Sequence, residues 1–131
     1  MILADTSAWI AHLRDRPEAV AAAVAALHGT GELAVTEPVV MEVLAGARNR
    51  VHERALRRQL ATATLIGIGG LDSWEAAASI YRGCRRQGVT LRSQLDCLVA
   101  AVAIRNELSV LHDDRDFDLI ARHTPLRVAA V

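Results

Sequence analysis

The chain has 131 residues, 52% of them apolar and 23% charged, which is too hydrophobic for disorder and the right size for one domain spanning 1–131. Its 15 basic and 15 acidic residues cancel, so no global field draws it to nucleic acid, and no stretch approaches the roughly 20 apolar residues of a membrane span. Every basic residue is arginine, which excludes a P-loop and a lysine-dependent receiver site.

In chain order, Ile2 to Ala4 reads as a short buried strand, and Asp5-Thr6-Ser7 supplies N-cap types for a helix through about Leu13. Pro17-Glu18 opens an Ala-rich second helix that ends at His28-Gly29. Glu32 to Val35 is a second strand. Thr36-Glu37-Pro38 starts a helix that carries Glu42 and stops near Gly46. Val51 to Ala63 is helical, with Arg50, Arg54, Arg57 and Arg58 on its polar side. Thr64 to Ile68 is a third strand, closed by Gly69-Gly70. Asp72 caps a long helix through Arg86, and Ser93 caps another over Gln94 to Asn106. Ser109 to Leu111 is a strand, Asp116 to His123 a short helix, and Leu126 to Val128 an edge strand. Short apolar strands alternating with helices predict an α/β fold with a parallel sheet covered on both faces. In such sheets ligands bind beyond the carboxyl ends of the strands.

Four acids sit where lone carboxylates are costly. Asp5 ends the run Met1-Ile2-Leu3-Ala4. Glu42 interrupts Val39-Val40-Met41 and Val43-Leu44-Ala45, with no cation three or four residues away to pair with it. Asp96 opens a helix that is apolar almost all round, although Ser93-x-x-Asp96 also fits a capping box. Asp114 follows Leu108-Ser109-Val110-Leu111, and Asp113, Asp114, Asp116 and Asp118 crowd six residues, repelling unless a cation is near. Gathered at one sheet edge, Asp5, Glu42, Asp96 and Asp114, with Asp116 as a fifth, would hold a hard divalent cation such as Mg²⁺ and act on a phosphate substrate.

Other residues carry less. Cys84 and Cys97 lack disulfide or metal spacing and read as small buried hydrophobes. The five histidines show no zinc-ligand spacing. Trp9 and Trp74 read as packing or interface residues ahead of base-stacking platforms. Arg82, Arg85, Arg86 and Arg92 flank the Asp96 helix and suit phosphate contacts better than the Arg50–Arg58 group. The early Asp5 leaves no signal-type segment, so a soluble cytoplasmic protein is expected.

These residues carry a resemblance. Ile2-Leu3-Ala4-Asp5-Thr6-Ser7-Ala8-Trp9-Ile10 resembles the start of PIN-domain ribonucleases. Glu42-Val43-Leu44-Ala45-Gly46, Asp96-Cys97-Leu98-Val99-Ala100-Ala101 and His112-Asp113-Asp114-Arg115-Asp116-Phe117-Asp118 resemble the second, third and fourth motifs of that family. Order and spacing over the whole chain are similar to VapC-type toxins of toxin–antitoxin pairs. The resemblance implies a three-layer α/β/α sandwich with a mainly parallel sheet of four or five strands. It implies cleavage of RNA, such as tRNA or another structured RNA, dependent on Mg²⁺ or Mn²⁺. It also implies a cognate VapB-type antitoxin and a homodimer. Between Asp113 and Asp114 it favours Asp114, with Asp116 auxiliary; Thr6 or Ser7 would hydrogen-bond an acid or a water. A catalytically silent, regulatory RNA-binding PIN domain would lack one of the acids, and none is missing. An acidic pocket further predicts silencing by a partner's inserted Arg or Lys, gripped otherwise through apolar surface.

Overall fold

The computed structural model describes residues 1–16 and 18–131. The expected helix start at Pro17 therefore lies outside the described residues. The chain alternates between strands and helices: β1 (Ile2–Ala4), α1 (Thr6–Leu13), α2 (Ala19–Leu27), β2 (Leu33–Val35), α3 (Glu37–Ala45), α4 (Arg50–Leu60), β3 (Thr64–Leu65), α5 (Leu71–Arg86), α6 (Gln94–Arg105), β4 (Ser109–Leu111), α7 (Arg115–Ala121) and β5 (Arg127–Val128).

The five strands form one all-parallel sheet in the order β3-β2-β1-β4-β5. In the central strand Leu3 and Ala4 are fully buried; Val110 and Leu111 of β4 and all three residues of β2 are equally enclosed. Strands this short and apolar bury both sides only when helices cover both faces, and that makes the α/β/α sandwich expected from the motifs.

From β1 the chain first builds outward through β2 and β3, then crosses back to lay β4 on the other side of β1. The carboxyl ends of β1 and β4 are therefore the topological switch point, where the two halves of the sheet diverge and leave a crevice. The ladder extends into that crevice, because the Asp5 amide donates to the Leu111 carbonyl at 2.9 Å.

Helix α6 runs through the interior, with every residue from Asp96 to Ala103 buried. It packs along α5 and also touches α3 and α7. By contrast, α4 is strongly amphipathic: Leu56 and Leu60 face the core and Arg50, Arg54, Arg57 and Arg58 face solvent. Arg57 pairs with Glu53 one turn away at 3.1 Å, so this arginine group is a solvated helix face. No helix among the described residues is long and apolar enough to cross a membrane.

Three local expectations are corrected. The strand expected over Thr64 to Ile68 is only two residues long, because Gly67 and Ile68 give their carbonyls to the Arg105 guanidinium, at 2.8 and 2.7 Å, instead of to a neighbouring strand. Asp72 does not cap α5; Gly70 occupies that position and Asp72 lies in the first turn, where its charge faces the positive end of the helix. Ser93 does cap α6, accepting the Leu95 amide at 3.1 Å, but Asp96 makes no reciprocal bond to Ser93.

Candidate active site

Each acid singled out by its apolar setting arrives at the switch-point crevice on a different element. Asp5 is the residue after β1 and the N-cap of α1. One of its oxygens, Oδ2, accepts the Ser7 amide at 3.1 Å and the Ser7 hydroxyl at 2.8 Å. That hydroxyl also accepts the Asp113 amide at 2.9 Å, which ties the end of β1 to the loop after β4. The other oxygen, Asp5 Oδ1, is buried with no hydrogen-bond partner. Glu42, in the middle of α3, accepts the Thr6 hydroxyl at 2.8 Å across 36 residues of sequence. Both hydroxyls of the Asp-Thr-Ser segment thus orient carboxylates.

Asp96, Asp114 and Asp116 each offer an oxygen, all within 4.8 Å of one another. Asp96 is 8% exposed in the first turn of α6, and Asp114 is the N-cap of α7, its Oδ1 accepting the Asp116 amide at 3.0 Å. Asp116, the fifth acid of the motifs, is buried to 3% exposure and is one of the three carboxylates of this triad. Asp5 and Glu42 stand outside the triad yet are close enough for their charges to be felt at Asp96.

The electrostatics match the crowding. Burial, followed by the charges of Asp5, Asp114, Glu42 and Asp116, pushes the Asp96 carboxyl up to about 7. Burial also raises Asp5, against the Ser7 hydrogen bonds and with Glu42 adding to it.

Sequence reasoning placed Arg92 with the phosphate contacts, but its first partners are the acids. Its Nη2 donates to Asp114 Oδ1 at 2.5 Å, its Nε to Asp116 Oδ2 at 3.4 Å and its amide to the same oxygen at 2.9 Å. These pairs join residues 22 and 24 positions apart, so no helical or strand period signals them. Cys97, beside Asp96 in sequence, is a fully buried thiol pushed up to about 12 by burial, and Cys84 is also buried; both pack as hydrophobes.

An all-carboxylate donor set with one buried oxygen left unpartnered is suited to a hard divalent cation and would be strained without one. The residues present therefore fit the metal that the sequence implied.

The PIN domain family model matches residues 2–123. The chain is 40% identical, over 99% of its length and 98% of theirs, to VapC ribonuclease Mb1587 of Mycobacterium bovis and to ribonuclease VapC11 of Mycobacterium tuberculosis. Its fold is similar to that in the crystal structure of VapBC2 from Rickettsia felis bound to a promoter DNA fragment, with a TM-score of 0.77 over 98% of each chain at 15% identity. The chain belongs to the PIN-domain family and, within it, to the VapC ribonucleases.

Proposed function

We propose that this chain is a Mg²⁺- or Mn²⁺-dependent endoribonuclease and the toxin of a toxin–antitoxin pair. The observation that carries the reading is the convergence of Asp5, Glu42, Asp96, Asp114 and Asp116 at the switch point, with Asp5 Oδ1 unpartnered and Asp96 held near neutrality. Asp96, Asp114 and Asp116 would hold the cation, with Asp5 and Glu42, the latter oriented by Thr6, as the further carboxylates of the set. Bound there, the cation would polarise a scissile phosphate and lower the pKa of a water. Ser7 fixes the angle of Asp5, and the rigid start of α6 fixes Asp96, so the oxygens are pre-set before substrate arrives. No histidine is needed as base; His112, the histidine nearest in sequence, is engaged by Asp118 at 3.1 Å.

The relatives are called ribonucleases, which supports RNA as substrate, and the Rickettsia felis structure is of a VapBC pair, which supports a VapB-type antitoxin as partner. A groove of about 470 Å³ between α1, α3 and α4 is lined by Ile10, Leu13, Val43 and Leu56, together with Glu42 and the polar Arg14, Arg48 and His52. It suits an amphipathic helix whose trailing cation reaches the acids. Exposed Met41 and Leu65 are surface that a homodimer would cover.

The test is to express the chain alone and map RNA ends, then repeat the cut with purified protein in Mg²⁺, in Mn²⁺ and in EDTA. New ends that vanish in EDTA are expected. Cleavage undiminished in EDTA would overturn the metal assignment, and no cleavage under any condition would overturn the nuclease reading.

A further inference from the structure

A second groove, about 750 Å³, lies between α5 and the segment that opens α6. Its wall is a single helical stripe: Trp74, Ala78, Tyr81, Arg82 and Arg85 recur at three- and four-residue steps along α5, over about 16 Å. Leu95 and Leu98 of α6 give it an apolar floor, and Arg92 stands at one end. No carboxylate among the described residues lines it. Arg82 and Arg85 make no ion pair among the described residues, and the Arg85 guanidinium lies 5.9 Å from the centre of the Tyr81 ring. Trp74 is 50% exposed, whereas the chain's other tryptophan, Trp9, is fully enclosed.

The groove joins the acidic site directly, because Arg92 belongs to both: it lines the groove and its guanidinium rests on Asp114 and Asp116. Arg82 and Arg85, two cations without an acid among the described residues, call for an anion with more than one charge. Two flat aromatic faces over an aliphatic floor call for flat rings. An acidic peptide would answer the charge but leave the aromatic stripe unused, and an apolar helix would strand the guanidinium groups unpaired. Single-stranded nucleic acid answers both, since its bases stack on aromatic side chains while its phosphates take arginine forks.

Resting on the ribonuclease reading above, we propose that the α5–α6 groove seats the single-stranded RNA flanking the scissile phosphate, with bases against Trp74 and Tyr81 and phosphates on Arg82 and Arg85. Arg92 marks the point where the strand passes from groove to carboxylates.

Trp74 is its own reporter. The full-length chain in EDTA, where RNA stays intact under that reading, is titrated with an oligouridylate of roughly ten nucleotides, within the ~4–16-nucleotide footprints typical of single-strand binders. Tryptophan emission should be quenched on binding, and Trp74→Phe should abolish the quench. Trp74→Ala should weaken binding by about fivefold to a hundredfold. Arg82→Ala and Arg85→Ala should each flatten the log–log salt dependence by about 0.7. All three side chains are exposed, so the variants should keep the wild-type melting temperature, which is measured alongside. Any of four results overturns the groove: no quench, a quench that survives Trp74→Phe, affinity and salt slope unchanged in both arginine variants, or displacement of the RNA by poly-glutamate at equal charge. A change from dimer to monomer on Trp74→Ala with RNA affinity unchanged would do the same, assigning Trp74 to contact with a second copy. The nuclease reading stands or falls separately, on whether wild type cuts RNA once Mg²⁺ or Mn²⁺ is restored.

Discussion

Asp96 is the residue on which the site's charge converges, and its protonation should be visible in stability. Its carboxyl titrates near 7 in the folded state instead of at the ordinary 3.8, chiefly through burial. A carboxyl that binds its proton more tightly when folded makes the native state lose stability as pH climbs from about 4 to about 7. Asp96→Asn removes that penalty. In EDTA the variant should melt higher than wild type at pH 8, with the gain shrinking to nothing below about pH 4. It should also cut no RNA in Mg²⁺, having lost an oxygen ligand. Thermal melts across pH and end-mapping check the two halves; an equal stability gain at pH 4 and pH 8 would mean that Asp96 does not titrate in this window. Thr6→Val tests support at one remove. It leaves the Glu42 carboxylate without its hydroxyl donor and should lower divalent-cation affinity or cleavage rate roughly 10–100-fold with little change in melting temperature. At this scale the sequence was informative wherever an acid stood alone among apolar residues, as at Asp5, Glu42 and Asp96. It was uninformative where the partner is set by tertiary geometry. The closeness of Asp116 to Asp96 and the pairing of Arg92 both depend on how the α6 and α7 starts meet, which no local pattern encodes.

Among the elements, strands and helices were legible in order because their apolar periods are clean, while their ends moved by one to a few residues. The largest shift, at β3, comes from the segment between that strand and α5. Glu37 accepts the Ile68 amide at 3.0 Å, and Arg105 grips the carbonyls of Gly67 and Ile68 and the Ser73 hydroxyl, so this stretch is pinned as a loop by two side chains 31 or more residues away. Gly69 is inside that clamp at φ +80°, where an added Cβ would meet Arg105 Nη1 at 2.7 Å. Gly29 has almost the same backbone, φ +79°, but open space around it. Gly29→Ala should therefore show only the left-handed backbone cost of about 1–2 kcal/mol. Gly69→Ala should lose more, because Arg105 must also release some of its acceptors. Chemical denaturation of both variants makes the comparison; equal losses would show that the Arg105 clamp yields freely.

For the whole molecule, the decisive fact is that one crevice gathers carboxylates from β1, α3, α6 and the β4–α7 junction, so a cation bound there would cross-link elements distant in sequence. Such a ligand stabilises the fold by mass action, about 2.7 kcal/mol at a hundred times its dissociation constant. For a chain of this size that is on the order of 10 °C in Tm. Mg²⁺ or Mn²⁺ should raise the Tm of wild type and leave Asp96→Asn nearly unmoved. Arg92 complicates this in an informative way. Its guanidinium already neutralises part of the cluster through Asp114 and Asp116, and the pair of acids in turn raises the arginine's own pKa, with Asp114 the main cause. Arginine and a metal ion bound there would thus compete for the same oxygens. Arg92→Ala should make the metal-free protein melt lower, because the two aspartates lose their counter-ion. The same variant should respond more strongly to divalent cation than wild type does, because no resident charge has to be displaced. Melting curves in EDTA and across a Mn²⁺ titration measure both effects on one sample. A smaller metal response in Arg92→Ala would show instead that Arg92 aligns Asp114 and Asp116 for the cation, making it a positioning residue and not a competitor.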